Sequence, residues 1–423
     1  MSNETEPKSP VFQFETSGVH AGLTRADNNV KDAPIYASTS FVFNDSAQGA
    51  AIFNMTAEAF CYSRIANPTV DVFEKRMATL ENGAAALVSS SGQSALFMTV
   101  TALAQTGENI VVASHLSDTS AQLFKYRLPP SKITARFVES GEIDLVRKAI
   151  DENTKAVFVE SISSHGLLVA DIAALAIVAH EAGVPLVVDN TAGAGGFLLR
   201  PIDHGADIVI ASASEWLSIS GSNSAGIIVD SGKFDWSKSR ERFPQFFEPA
   251  AGFHGLNLWE KFGSTVFIAF TRIAILRDIG PCLNPFEAFQ LLAGLETLSV
   301  RVERSSSNAA KLAAWLKTMN KVGEVQYPGL KSNPLYQLSE KYLKRGYGGL
   351  LSFTTKDGTK LSKQAFDQFK LVSVGRSIGG SRTVVIEGER EEAHAGSNLI
   401  YVSLGLENID DIIADFKLAL STI

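Results

Sequence analysis

The chain has 423 residues, 45% of them hydrophobic and 20% charged, and a formal net charge of −7. That composition suits a soluble globular protein with a core large enough for two or three domains. It gives no basic footprint for nucleic acid or an anionic membrane surface. Two cysteines, Cys61 and Cys282, make no disulfide framework and fit a reducing compartment as ordinary thiols.

The opening MSNETEPKSPVFQFET is polar and has no apolar h-region, so it reads as a short disordered arm rather than a secretory signal. No apolar run reaches transmembrane length, and the expectation is a cytoplasmic protein. From about residue 70 to 245 the Val/Ile-rich runs NIVVASH, AVFVESI, PLVVDNT, DIVIASAS and GIIVDSG alternate with helix-like stretches. One such stretch, DIAALAIVAHEAG, ends in Gly as helices do. Alternating strands and helices predict a largely parallel α/β sheet covered on both faces. Ligands of such sheets sit beyond the carboxyl ends of the strands. SSSGQ at 89–93, ESISSHG at 160–166, DNT at 189–191 and SASE at 212–215 all fall at such ends. Beyond residue 255, GSTVFIAFTRIAILRDIG and PFEAFQLLAGLETLSVRVERSSSNAAKLAAWLKT read as long helices, the second broken or bent around its serines. GGLLSFTT, TVVIE and NLIYVSLG, with helical DDIIADFKLAL, predict a smaller C-terminal α+β domain. The chain thus divides into an arm (1–65), a large α/β domain (66–260) and a helical connection with the smaller domain (261–423).

The strand-end motifs, in this order, resemble the cystathionine γ-synthase-like family of pyridoxal-phosphate (PLP) enzymes, which handle cysteine, methionine and homoserine derivatives. The nearest branch is similar to the O-acetylhomoserine sulfhydrylases. The likeness runs from HAGLTRADNN through YSRIANPTVDVFEKRMATLENG to GLENIDDIIADFKLAL, strengthened by GKFDW, FHGL and AFQLLAGLETLSVRVER. It implies a fold-type I, aspartate-aminotransferase-like domain. It also implies a homodimer or homotetramer in which the 1–65 segment contributes to the neighbouring subunit's site.

The resemblance places a phosphate cup at Ser91, Gly92 and Gln93, where a helix follows a strand, and at Ser212 and Ser214. It brings Tyr62 and Arg64 to the phosphate from the neighbouring subunit, and it makes Asp189 the partner of the pyridine nitrogen. Each has a plainer account: Ser–Gly is a common helix start, and Asp–Asn often merely ends a strand. Other positions depart from the family. Glu215 stands where the family has its Schiff-base lysine, and a carboxylate has no amine to condense with an aldehyde. Ser117, in SDTSA, replaces the tyrosine that stacks on the cofactor ring. Ser164-His165 replaces Asn-Pro, and Tyr401 replaces the arginine that clamps a substrate α-carboxylate. An acidic stretch at 387–397 replaces a Ser/Thr-rich loop.

Three readings follow. The first is a repurposed, PLP-independent lyase, isomerase or cyclase acting on a small non-amino-acid metabolite. In it Glu215 serves as general acid or base with His165 as its partner, in a pocket lined by Ser117, Asp118, Ser164, Asp189 and Tyr401. This reading needs no cofactor and no metal, and the phosphate cup is vestigial. The second is a catalytically inactive subunit pairing with an active homologue. The third is a sulfhydrylase-like protein holding PLP non-covalently. Glu215 has a structural alternative too, an ion pair with Arg64.

Overall fold

Val- and Ile-rich runs favour extended backbone where both faces can be buried, and here they form one seven-stranded sheet. In the computed structural model, which describes residues 12–23, 30–113, 115–138, 142–164, 166–253, 255–356, 363–387 and 399–421, its strands are β1 (Ala85–Ser89), β2 (Asn109–Val112), β3 (Thr134–Phe137), β4 (Thr154–Glu160), β5 (Leu186–Asp189), β6 (Ile208–Ser212) and β7 (Gly226–Asp230). Their spatial order is β1-β7-β6-β5-β4-β2-β3. The four pairings from β3 to β6 are parallel. Only β7 runs antiparallel to its neighbours β1 and β6. The chain therefore has the expected α/β fold of type I, a parallel-rich sheet with one reversed strand.

The period of two along each strand feeds two separate cores. Leu87, Ile110, Phe158, Val187, Ile210 and Ile228 pack on one face with helix Gly92–Leu103. Val88, Val111, Val159, Val188, Val209 and Val229 pack on the other, with helices Pro68–Leu80 and Ile172–Glu181. β3 was not legible as a strand: TARF is mostly exposed at the sheet edge and carries no apolar run.

The predicted smaller unit holds a second sheet of β8 (Val322–Gln326), β9 (Leu350–Thr355), β10 (Ser373–Val374), β11 (Val384–Glu387) and β12 (Ile400–Ser403), ordered β10-β11-β12-β9-β8. Helices Leu298–Leu316 and Ile409–Leu420 cover it through Leu312, Leu316, Ile412 and Phe416.

The expected break around the serines is not there. Helix Leu298–Leu316 runs through Ser305, Ser306 and Ser307, and the interruption lies at Thr297, just after helix Pro285–Glu296. Ser305 spends its hydroxyl on the Val302 carbonyl within the helix (3.1 Å), so nothing forces the backbone apart. A Cβ on Gly349 would stand 2.8 Å from the Ser305 hydroxyl, so small residues here admit a close approach. The opening segment was expected to be disordered. Residues 1–11 lie outside the described set, but helix Phe14–His20 is docked, with Phe14 buried against Phe197. Among the described residues no helix is long and apolar enough to cross a membrane.

Candidate active site

Helix Gly92–Leu103 begins directly after β1. Ser91 caps it, accepting from the Ser94 amide while the Ser94 hydroxyl accepts from the Ser91 amide (3.1 and 3.0 Å). The first two helical amides, of Gly92 and Gln93, have no intrahelical partner, which leaves them open to an anion. Glycine is needed at 92 because β6 comes so close: a Cβ there would sit 2.8 Å from Ser212 Cβ. Gly226 is needed for the same reason, since its Cβ would meet the Ser91 carbonyl oxygen at 2.1 Å. Ser212 is thereby pressed against the helix start. The Ser214 hydroxyl accepts from the Ala225 amide (3.1 Å), which ties the turn after β6 to the start of β7. Gln93 reaches Ser120 across the cleft (3.3 Å).

Tyr62 and Arg64 are not brought to this cup within the chain. The Arg64 guanidinium lies over the Tyr62 ring and donates to the Arg277 carbonyl. Among the described residues no ion pair joins Arg64 to Glu215. Within one chain the ion pair with Glu215 is not formed, and Arg64 engages the Arg277 carbonyl instead.

Three carboxyl groups gather at the ends of neighbouring strands. Asp189 ends β5 and accepts from the Thr191 amide (2.9 Å) and hydroxyl (2.6 Å). Thr191 in turn accepts from the Ser212 amide (2.9 Å), which joins the ends of β5 and β6. Burial raises the Asp189 carboxyl above its ordinary value, against the pull of both Thr191 bonds. Glu160 ends β4 and is the register partner of Asp189. Burial, then the neighbouring Asp189 charge, push it up to about 7. Its two oxygens take the Ser117 amide (2.8 Å) and the Ser164 amide (2.7 Å). Glu215 lies in the turn beyond β6. Its Oε2 is buried with no hydrogen-bond partner. Burial raises its pKa, the Ser212 hydroxyl opposes that, and Asp189 adds to it.

Of the other pocket candidates, Ser117, Asp118 and Ser164 follow the ends of β2 and β4, whereas Tyr401 lies in the second sheet. Ser117 precedes helix Asp118–Gln122 and donates to Ser120 (3.0 Å). Asp118 is exposed, and so is Ser164 apart from its amide bond to Glu160. Tyr401 sits on β12 between Ser352 and Ile386, on the same face as Ser403. Ser403 accepts from the Gly379 amide (2.9 Å), and Gly379 packs against Trp216, the residue after Glu215. His165 and the stretch 388–397 lie outside the described residues.

The sequence reading passed over Glu160, Thr191 and Arg301. Glu160 was inside a quoted motif, and its signal was a carboxylate closing a fully apolar run. Thr191 was in DNT and carried no signal of its own. Arg301 lay inside AFQLLAGLETLSVRVER and carried no signal of its own. It is in fact buried and donates to the carbonyls of Trp216 (2.9 Å), Ser218 (3.3 Å) and Gly294 (2.8 Å), bracing the Glu215 turn.

A type I sheet, a helix start open to an anion after its first strand and a carboxyl ending β5 make the arrangement expected of PLP-handling α/β proteins. A family model for the Cys/Met metabolism PLP-dependent enzymes matches residues 15–421. The chain is 48% identical over 419 residues to a homocysteine synthase of Schizosaccharomyces pombe, covering 96% of this chain and 98% of the other. It is 46% identical to a sulfhydrylase of Fusarium oxysporum f. sp. lycopersici, covering 96% and 97%. It superposes with a TM-score of 0.91 on the crystal structure of a putative O-acetylhomoserine (thiol)-lyase from Campylobacter jejuni, at 34% identity and covering 97% and 99%. The chain belongs to the Cys/Met metabolism PLP-dependent enzyme family.

This overturns the expectation of a site that needs no cofactor. The family is PLP-dependent, and the Campylobacter structure carries N′-pyridoxyl-lysine-5′-monophosphate. The physical reason is that the anion cup rests on backbone amides and on the packing of Gly92 against Ser212, neither of which depends on residue 215. The residues present fit the group at both ends, with free amides for a phosphate and the Asp189 carboxylate for a protonated ring nitrogen. What residue 215 lacks is the amine for a covalent link.

Proposed function

We propose that this chain is a PLP-binding enzyme that holds its cofactor through the phosphate, without a covalent anchor, and uses Glu215 for proton transfer. The observation that carries this reading is the buried, partnerless Oε2 of Glu215 beside Ser212 and Asp189, next to an intact anion cup. When bound, PLP supplies an aldehyde that condenses with primary amines and a ring that withdraws electrons from the attached carbon.

The amides of Gly92 and Gln93 and the hydroxyls of Ser212 and Ser214 would hold the phosphate, with Tyr62 and Arg64 of a second copy completing the cup in a homodimer or homotetramer. Asp189 would partner the ring nitrogen, and Thr191 keeps its carboxyl in place. Glu215 keeps a proton to higher pH than an exposed glutamate, because burial disfavours its charge. It gives or takes that proton at the substrate carbon next to the amine, the step shared by elimination, isomerisation and cyclisation. Ser117, Asp118 and Ser164 would line the ring face, and His165, next to Ser164 in the sequence, would relay the proton. Tyr401 replaces a guanidinium with a neutral hydroxyl, so the pocket does not demand an α-carboxylate. The substrate class is therefore a small primary amine rather than a standard amino acid. The division into an arm (1–65), a large domain (66–260) and a C-terminal unit (261–423) follows this arrangement, the arm serving the neighbouring site.

The test is to equilibrate the purified protein with PLP, reduce with borohydride and weigh the intact chain. Saturable cofactor absorbance with no added pyridoxyl mass is expected for the native protein, and covalent attachment for Glu215→Lys. A native protein that fails to saturate with PLP, or that gains a pyridoxyl group on one of its own lysines, would overturn the reading. Once a substrate amine is found, Glu215→Gln should lower turnover by about 100-fold or more, the usual worth of a positioned acid or base.

A further inference from the structure

Glu160 is buried at the end of β4, and neither the family's phosphate cup nor the proton chemistry of Glu215 uses it. It has two separate engagements. Its Oε1 accepts from the Ser117 amide after β2, and its Oε2 accepts from the Ser164 amide after β4. Those are the two loops that carry the replaced ring-stacking and amide positions, so one side chain fixes the spacing between both faces of the cleft. Its second relation is to Asp189. The two residues are register partners on adjacent parallel strands, so their side chains leave the same face of the sheet about 5 Å apart at the backbone. Two carboxylates that close in a water-poor site do not both ionise near neutrality, and they titrate as a pair.

We propose that Glu160 is a positioning residue for this site, tying the Ser117 loop to the Ser164 loop and sharing one proton with Asp189. The proton count of the pair then sets how much negative charge Asp189 presents to the cofactor ring, a consequence that rests on the PLP reading above. The tie and the shared proton rest on this chain alone. The titratable groups around the pair are Glu215, which feels the charge of Asp189, and His115 and Asp118, on either side of Ser117 in the sequence. A carboxylate is needed at 160 because two amides must be accepted on two oxygens. Glutamine would satisfy one and turn an NH2 toward the other.

The experiment compares native protein, Glu160→Gln, Glu160→Asp and Asp189→Asn, all as full chains checked for native circular dichroism. Infrared titration of the carboxyl C=O band without cofactor reads the shared proton. The native protein should lose a protonated-carboxyl band near neutral pH. In Glu160→Gln and in Asp189→Asn the remaining acid should lose its proton lower, by about one pH unit or more. Glu160→Asp should keep the near-neutral band. With PLP, Glu160→Gln should weaken binding about 10-fold and displace the pH midpoint of the cofactor's absorbance, and Glu160→Asp should restore that midpoint. A Glu160→Gln protein that binds PLP more weakly but keeps the native carboxyl band and midpoint would overturn the shared proton and leave Glu160 a structural tie. A native protein with no protonated carboxyl near neutrality would overturn it as well. Failure of every form to bind PLP would sink the proposed function, while the cofactor-free infrared arm would still decide Glu160.

Discussion

Replacing Glu81 with glutamine tests the foundation under Asp189 in a way that separates burial from charge. Glu81 ends helix Pro68–Leu80, is fully buried, and accepts from the side-chain amide of Asn190 on both oxygens (3.0 and 3.2 Å). Asn190 follows Asp189 directly. Burial raises the Glu81 carboxyl from 4.5 to about 8, with the Asn190 bond and the Arg200 charge only partly offsetting it. A raised acid binds its proton more tightly folded than unfolded. Its stabilising contribution is therefore complete below pH 4.5 and is lost as pH rises through about 8. At roughly 1.4 kcal/mol per tenfold change in proton affinity, the full loss is about 5 kcal/mol, an upper bound because water reaches any ionised buried group. Glu81→Gln removes the titration and still accepts from Asn190 on one oxygen. Urea unfolding should show the variant within about 1 kcal/mol of the native protein at pH 5, since the native residue is then neutral. At pH 9 the variant should be more stable by on the order of 2 kcal/mol or more. Equal offsets at both pH values would refute the reasoning, because they would mean that Glu81 does not change its protonation on folding.

Two further outcomes follow from packing. Gly92→Ala puts a methyl 2.8 Å from Ser212 Cβ and 3.0 Å from Ser212 Cα. Backbone must shift where the phosphate would sit, so PLP affinity by fluorescence titration should fall by about 10-fold or more, roughly the loss of one good hydrogen bond to a charged group; unchanged affinity would remove the helix start from the cup. Arg301→Met removes the guanidinium donor from the Trp216, Ser218 and Gly294 carbonyls, and among the described residues only Gly294 keeps another, from Thr297. Denaturant unfolding should show a loss of about 3 kcal/mol, and a loss under about 1 kcal/mol would mean water replaces the guanidinium there.

Local signals made most of the strands legible. Strands β4 to β7 are short apolar runs closed by Glu, Asp or Ser, and every such run marked in the sequence became a strand, because a strand buried on both faces is apolar along its length. The family resemblance also survived, since it rested on many long matches spread over the whole chain. The expectation of a site without a cofactor failed for the opposite reason. It gave great weight to four side chains, Glu215, Ser117, Ser164 and Tyr401, whereas the anion cup depends on backbone amides and on how closely Gly92 approaches Ser212.

By itself the sequence determined that strands alternate with helices, that a carboxyl group stands at 215 where no amine can form a covalent link, and that Asp189 closes an apolar run. These are properties of single residues and of periodicity. The tertiary structure alone decided that Glu160 and Asp189 are register partners, that Arg64 donates to the Arg277 carbonyl of its own chain, and that Arg301 braces the turn beyond β6. Those relations join residues up to 213 positions apart. They follow from strand order and from which carbonyls the packed helices leave unpaired, and neither is written in any local stretch of the chain.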